Sequence, residues 1–163
     1  MKSVSELEYV FENTINNWLT SLQKDNKALW GNMDAQQMIE HLTIALEVST
    51  GKRIVELVSP IDKVEKIKNI GLLSDRPLQR DFKNVALPLE PIPHMHADIA
   101  TAIAVLKTEL KLFKNYYTAQ PTIKHMHNVF GELNYHEWLW MHYKHFIHHF
   151  TQFGVLPPAD KIV

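Results

Sequence analysis

Histidine is the residue type in this sequence whose number and spacing could support chemistry. The chain has ten histidines in 163 residues, and seven of them fall between His125 and His149. His145 and His149 are four residues apart in a segment with helical periodicity, so their imidazoles lie one turn apart on one face. Two histidines at this spacing can reach a single divalent metal ion. The C-terminal part of the chain is therefore a candidate for metal binding.

His41 is the third candidate ligand. It lies in an apolar stripe with Met38, Ala45 and Val48, where a charged imidazole is costly unless it has a partner. A histidine pair on one helix and a single histidine on another would form a three-nitrogen site with at least one open position, as catalytic metal sites require. From spacing alone a second interpretation stays open: His41 is a hydrogen-bonded core residue, and the pair is a chance feature of a histidine-rich helix.

Four neighbouring residues share these helix faces and are expected to line the open side of the site: Gln37, Trp138, His142 and Gln152. His142 is a candidate fourth ligand, proton shuttle or ligand-orienting group, and a plain hydrogen bond to the backbone is an equal alternative. Gln152 is expected to orient a ligand histidine through its other ring nitrogen. Gln37 and Trp138 have simpler interpretations, as a capping partner and a core aromatic residue. His148, at the edge of the face, is assigned to the pocket.

Helices must position these side chains, and four segments have the required periodicity. The second begins at a capping box of Asp34 with Gln37 and must end before Pro60. The fourth begins at a similar box of Asn134 with Glu137 and ends at Gly154. The first and third have apolar stripes, at Leu7, Phe11, Thr14, Trp18 and Leu22 and at Ile99, Ile103, Leu106, Leu110, Phe113 and Tyr117.

A long connection separates the second and third helices. Residues 59–93 contain five of the eight prolines, and only residues 61–70 have the pattern of a short helix. We find no convincing pair of strands. Four long helices with one long crossover predict an all-α, four-helix-bundle fold, in a single domain over residues 1–163. We expect the crossover to pack over one end of the bundle.

Composition argues against several other classes of protein. The chain lacks cysteine, which excludes disulfides, thiolate nucleophiles and sulfur-ligated metal sites. Seventeen basic and eighteen acidic side chains give a formal charge of −1, which argues against nucleic-acid binding. Neither a secretory signal nor an apolar stretch of membrane-spanning length is evident, so we expect a cytoplasmic protein with no membrane partner.

Three stretches of sequence combine the candidate residues with characteristic neighbours. They read Trp30-x-x-M-x-x-x-Q-M-x-x-His41, then H-N-V-F-G-E-L from His127, then His145-x-x-His148-His149-x-x-Gln152 followed by F-G. The first and last resemble the second-helix and last-helix (H-x-x-H-H-x-G-Q) patterns of the DinB/YfiT-like superfamily of metal-dependent enzymes. The middle stretch and the H-H-x-x-Q-F-G ending are similar to a bacterial branch that usually reads H-P-x-F-G-x-L.

The resemblance spans nearly the whole chain. It implies a four-helix bundle in which His41, His145 and His149 hold a divalent metal. Two departures from the pattern are evident. Asn128 stands where the branch usually has proline, which affects the turn, and Phe150-Thr151 replaces a frequent Arg-Gly, which alters the edge of the pocket.

Three neutral histidines would leave the 2+ charge of the metal uncompensated, so the metal can lower the pKa of a bound water or thiol and polarise a carbonyl. Zinc or nickel is the expected metal, with iron and manganese as alternatives. Hydrolysis usually adds a carboxylate base. Helical geometry turns the carboxylates of Glu40, Glu47 and Glu137 away from the ligands. Three carboxylates of the crossover stay candidates for the base: Asp75, Asp81 and Glu90.

The resemblance also implies a reaction class, because relatives in the superfamily include thiol-dependent transferases. We therefore expect thiol-dependent group transfer on a small-molecule substrate, with a low-molecular-weight thiol as partner. A metal-dependent hydrolase is the alternative within enzymes, and a non-catalytic metal-binding or ligand-binding bundle is the alternative from another class. A homodimer also stays open.

Overall fold

The computed structural model describes residues 1–80 and 90–158 of the chain. These residues are mostly helical, which agrees with the predicted all-α class, and they also contain one small antiparallel sheet. The elements in chain order are α1 (Val4–Tyr9), α2 (Ile15–Ser21), α3 (Ala35–Ser49), α4 (Val64–Ile67), α5 (Ile99–Ala119), β1 (His125–His127), β2 (Gly131–Leu133) and α6 (Tyr135–Gln152). π-Helical turns join α1 to α2 (Val10–Thr14) and extend α4 (Lys68–Leu72).

The π-helical turn corrects the predicted buried face of the first helix. Ser3 caps α1 in a capping box with Glu6. Since a π-helical turn inserts one residue, the buried positions after it are Ile15 and Leu19 rather than Thr14 and Trp18. The regular helical spacing of the predicted apolar stripe therefore does not hold across this turn.

Both capping boxes predicted for the helices that carry the histidines are present. The Asp34 side chain accepts a hydrogen bond from the Gln37 backbone N–H, and the Gln37 side chain accepts one from the Asp34 backbone N–H. Asn134 and Glu137 form the same two hydrogen bonds at the start of α6. α6 ends next to Gly154, as expected. α3 ends earlier than the proline limit, because the chain turns at Gly51 with a φ of +72°.

The hairpin of β1 and β2 is an element that the sequence analysis missed. His125 pairs with Leu133 and His127 with Gly131. The tight turn depends on His127, whose Nδ1 accepts from the backbone N–H groups of Val129 and Phe130. Three-residue strands are too short to show an alternating pattern, which is why the segment gave no strand signal.

The crossover runs along α6 instead of packing over one end. Lys68 contacts Glu137 near the start of α6, the Leu72 carbonyl accepts from Trp140, and Arg80 stacks on Trp30 close to its end. In the described part of the crossover, the α-helical residues are Val64–Ile67, within the predicted residues 61–70. The described crossover therefore follows the helix that carries His145 and His149.

The core lies where α3, α5 and α6 meet, with α1 and α2 packed against it. Its largest fully buried side chains include Trp138, Tyr117, Phe146 and Phe150. Among the described helices, none combines the length and apolarity needed to cross a bilayer.

Candidate metal centre

The three predicted ligands come together between α3 and α6. His41 Nε2 is 3.0 Å from His145 Nε2, which in turn is 2.9 Å from His149 Nε2. One nitrogen from each residue lies within 4.8 Å of the others. The i, i+4 spacing places two rings on one face of α6, and the packing of α3 against α6 brings His41 to them.

The donor set fits a divalent metal. Four-coordinate Zn²⁺ binds imidazole nitrogen at about 2.0–2.1 Å, so two nitrogens of one tetrahedral site are roughly 3.3–3.4 Å apart. The closer pairs need to open by only a few tenths of an ångström. In the described part of the chain this group contains three histidines and no fourth protein ligand. Such a site keeps a coordination position for a small molecule.

Gln152 fixes the protonation of one ligand, as the sequence analysis expected of it. The Gln152 amide Nε2 donates to the Trp30 carbonyl at 2.7 Å, so the Gln152 Oε1 must face His149 Nδ1, also at 2.7 Å. Because Oε1 only accepts, His149 Nδ1 carries the proton. The lone pair of His149 then lies on Nε2, directed at the other two ligands.

A short loop holds Gln152 in this orientation. The Leu29 amide donates to the Gln152 carbonyl at 2.8 Å, and Gly31 packs against the Gln152 side chain. Gly31 has a φ of +76°, and a Cβ there would lie 2.9 Å from Gln152 Nε2. Only glycine allows the loop to approach this closely. The loop between α2 and α3 is therefore part of the centre.

The three imidazoles are held neutral. Burial lowers the pKa of His41 to about 4, with a smaller effect from His148. Burial also lowers the pKa values of His145 and His149 well below the usual range, and the neighbouring histidines lower them further. A histidine must be neutral to bind a metal, so at pH 7 no proton has to be removed from these rings first. His145 Nδ1 is buried without a hydrogen-bond partner.

The end of the crossover is fixed beside His41. The buried Glu40 carboxylate accepts from the backbone N–H groups of Met95 and His96 at 2.9 and 3.0 Å. Gln36 donates to the same carboxylate and to the His96 carbonyl. Gln37 completes its capping box and donates to the Ile92 carbonyl, so its position is explained by structure alone.

Trp138 and His142 do not line the open side as expected. The Ser49 hydroxyl donates to the Leu46 carbonyl, so His142 Nε2 is the donor in its 3.0 Å hydrogen bond to that hydroxyl. The His142 ring stacks on Trp138 and meets Phe113 edge-on. Both side chains are fully buried in the aromatic core. They share a stripe with the ligands but lie one to two turns earlier on α6, where the stripe packs against other neighbours. His142 is not part of the three-histidine group.

His148 lies at the edge of the centre, as predicted. Its ring meets the rings of His149 and Trp30 edge-on, with centroid distances of 5.0 and 5.7 Å. The Arg80 guanidinium lies over the Trp30 ring, 4.1 Å from the ring centroid. His148 also lines a cavity of about 370 Å³ with Trp140 and Tyr143.

Four of the six carboxylates considered as a general base form other contacts in the described residues. Glu47 pairs with Arg53, Glu137 with Lys68, and Asp75 with the terminal ammonium of Met1. Glu40 binds the crossover backbone, as described above, and Glu90 is exposed. Asp81 lies outside the described residues.

Lys144 is a buried charge that the sequence analysis did not single out. Its ammonium donates to the carbonyls of Gly71, Leu72 and Ser74 at 3.0–3.1 Å. Burial lowers the pKa of Lys144 to about 8, so it stays mostly protonated at neutral pH. Three donors meet three carbonyls at the end of a helical turn, where a cation is favoured. No local pattern in the sequence shows this long-range contact.

Comparison of the chain with protein-family models, with curated proteins and with solved structures finds no match.

Proposed function

We propose that this protein is a metal-dependent enzyme that holds a divalent ion with His41, His145 and His149 and carries out thiol-dependent group transfer on a small molecule. The observation that carries the proposal is the convergence of three imidazole Nε2 atoms from two helices, with no fourth histidine or carboxylate ligand in the group among residues 1–80 and 90–158. Three-ligand sites with an open position are typical of catalysis, whereas structural zinc sites are closed by four ligands.

The residues of the chain prepare the site in three ways. Gln152 keeps the His149 lone pair on Nε2, burial keeps the rings neutral, and Glu40 fixes the crossover beside His41. The metal, when bound, supplies a Lewis acid that lowers the pKa of a coordinated thiol or water and polarises a carbonyl. Three nitrogen donors suit zinc or nickel, and iron or manganese is the alternative.

Group transfer is favoured over hydrolysis by the surroundings of the three histidines. A hydrolase of this type usually positions a carboxylate to take the proton of the attacking water. Glu40 accepts from backbone N–H groups, and Glu47 and Glu137 form ion pairs. Of the crossover candidates, Asp75 is paired with the terminal ammonium of Met1. A thiol is acidic enough to ionise near a cation without such a base, so an external thiol is the better match to this site.

A cavity that His148 lines supports a small-molecule substrate. It measures about 370 Å³, within the range of small-molecule sites, and His148 joins it to the ligand His149. Trp140, Tyr143 and Ile147 provide apolar walls, and charged side chains of both signs line the rest of the cavity, among them Arg76 and Asp75. We assign the substrate of the transfer reaction to this cavity.

The proposal includes the fold family. The contacts of α3 with α5 and α6, and of α1 with α6, are compatible with a four-helix bundle of the DinB/YfiT-like type. The order of one early histidine and a late H-x-x-x-H pair supports the same assignment.

Metal analysis of the freshly purified protein tests the first part. We expect about one equivalent of zinc or nickel in the wild type and its loss in His145→Ala, with the helical circular dichroism retained. His142→Ala serves as the control, because His142 hydrogen-bonds to Ser49 outside the group. Metal loss in His142→Ala with a folded chain would make His142 a fourth ligand and would overturn the open-site argument.

An activity screen tests the second part. Wild type and His145→Ala are compared with glutathione or cysteine and an electrophilic acceptor such as monobromobimane, and separately with p-nitrophenyl esters. Metal-dependent thiol conjugation is the expected result. Ester hydrolysis without conjugation would favour the hydrolase, and bound metal without either activity would favour a non-catalytic bundle.

A further inference from the structure

A second cavity lies on another side of the molecule, between the first helical segment and α5. It measures about 500 Å³, which is within the range of small-molecule sites. Phe11 and Ile15 form one wall, Leu110 and Phe113 the other, and Leu139 of α6 lies at its base. We call this cavity the α1–α5 groove. The π-helical turn Val10–Thr14 forms part of its wall, and such turns are frequent at functional sites.

One end of the groove is closed by its own charges. The Lys114 ammonium forms ion pairs with Glu12 and with Glu8, the latter at 3.6 Å. The Tyr135 hydroxyl donates to the same Glu8 at 2.6 Å. Both carboxylates are therefore occupied, and this end has no acidic group left to bind a cationic ligand.

The other end of the groove has excess positive charge. Lys107 and Lys111 lie one turn apart on α5, and both line the groove. In the described residues no carboxylate forms an ion pair with either of them. Like charges one turn apart repel each other, and an anion bound between them relieves that repulsion.

We infer that the α1–α5 groove binds a small monocarboxylic acid with an apolar chain, its carboxylate at Lys107 and Lys111 and its chain against Phe11, Ile15 and Leu110. The length fits, because the separation of seven positions between Lys107 and Lys114 spans about 10 Å of helix, close to an extended chain of eight carbons. The volume is too small for a partner helix, which is itself about 10–12 Å across. The combination of an apolar floor and two cations at one end selects an amphipathic anion.

The test uses octanoate as the probe and octan-1-ol as its uncharged counterpart, measured by isothermal titration calorimetry. We expect octanoate to bind at one site per chain and octan-1-ol to bind at least tenfold more weakly. The double variant K107Q/K111Q should weaken octanoate binding at least tenfold. The double variant K24Q/K27Q removes the same charge from exposed positions and should bind as the wild type does.

Two further variants separate this site from other modes of binding. L110W fills the groove and should abolish octanoate binding. H145A removes a ligand of the metal centre and should leave octanoate binding unchanged. Absence of saturable binding to the wild type, equal binding by K107Q/K111Q, or loss of binding in H145A would each overturn the inference.

Discussion

At the scale of single residues, Gln152 orients one histidine of the candidate metal centre. It fixes the His149 tautomer through a 2.7 Å hydrogen bond, and residues in this role typically change metal affinity 10–100-fold. We predict that Gln152→Ala lowers zinc affinity by about that factor, measured by competition with a chelator. Gln120→Ala, at an exposed position, should leave the affinity unchanged. Equal affinities for both variants would show that the hydrogen bond is only structural.

Gly31 and Gly154 form a matched pair that isolates one contact. Both have positive φ, +76° and +69°, so alanine at either position loses about 1–2 kcal/mol of folding free energy to backbone strain. At Gly31 the new Cβ meets Gln152 Nε2, whereas at Gly154 it meets nothing within 4 Å. We predict that both variants lower the melting temperature but only Gly31→Ala lowers zinc affinity. A similar loss of affinity in Gly154→Ala would attribute the effect to general destabilisation.

At the scale of elements, Glu40 connects α3 to the crossover. Glu40→Leu removes the carboxylate that accepts from the partly buried N–H groups of Met95 and His96, at a cost of about 1–3 kcal/mol. We predict faster hydrogen–deuterium exchange in residues 92–96 of this variant. The control is Glu47→Leu, which removes a partly exposed ion pair on the same helix and should cost under about 1 kcal/mol. Unchanged exchange in Glu40→Leu would mean that other contacts hold the crossover.

The same scale shows which features the sequence could predict. Capping boxes and the i, i+4 pair depend on neighbours within one turn, so Asp34, Asn134 and the pair His145 and His149 were identified from the sequence. His41 was placed correctly because a histidine in an apolar stripe needs a partner. The contact of Gln152 with Trp30 is a tertiary contact across 122 positions, and no local rule shows it.

Trp138 and His142 illustrate the limit of helical geometry. A helical wheel places them on the same stripe as His145 and His149, but it contains no information on which element faces each turn. The stripe meets α3 at the ligands and the aromatic core of α5 one to two turns earlier. The π-helical turn at Val10–Thr14 is a second case, since it moves the buried positions from Thr14 and Trp18 to Ile15 and Leu19, while the predicted Leu22 stays buried.

At the scale of the whole molecule, buried neutral histidines make stability depend on pH. Burial lowers the pKa of His127 to about 4 and that of His142 to about 3. In the unfolded chain both titrate near 6.5. Between these values the unfolded state binds protons that the folded state does not, so stability is complete above pH 6.5 and is lost as the pH falls toward 4. Metal-free protein should therefore unfold at lower urea concentration at pH 5 than at pH 7.

His127 allows this dependence to be assigned to one residue. Its Nδ1 must be unprotonated to accept from Val129 and Phe130, so protonation also breaks the turn of the hairpin. From the pKa of about 4 in the folded state, His127 accounts for about 2 kcal/mol of the loss between pH 7 and pH 5.

His127→Asn keeps an acceptor oxygen for the turn and does not titrate in this range. We predict that the difference in unfolding free energy between pH 7 and pH 5, measured with urea in the presence of a chelator, is about 2 kcal/mol smaller in His127→Asn than in the wild type. Equal differences would show that His127 takes up its proton without unfolding, and that the hairpin can open while the helices stay packed.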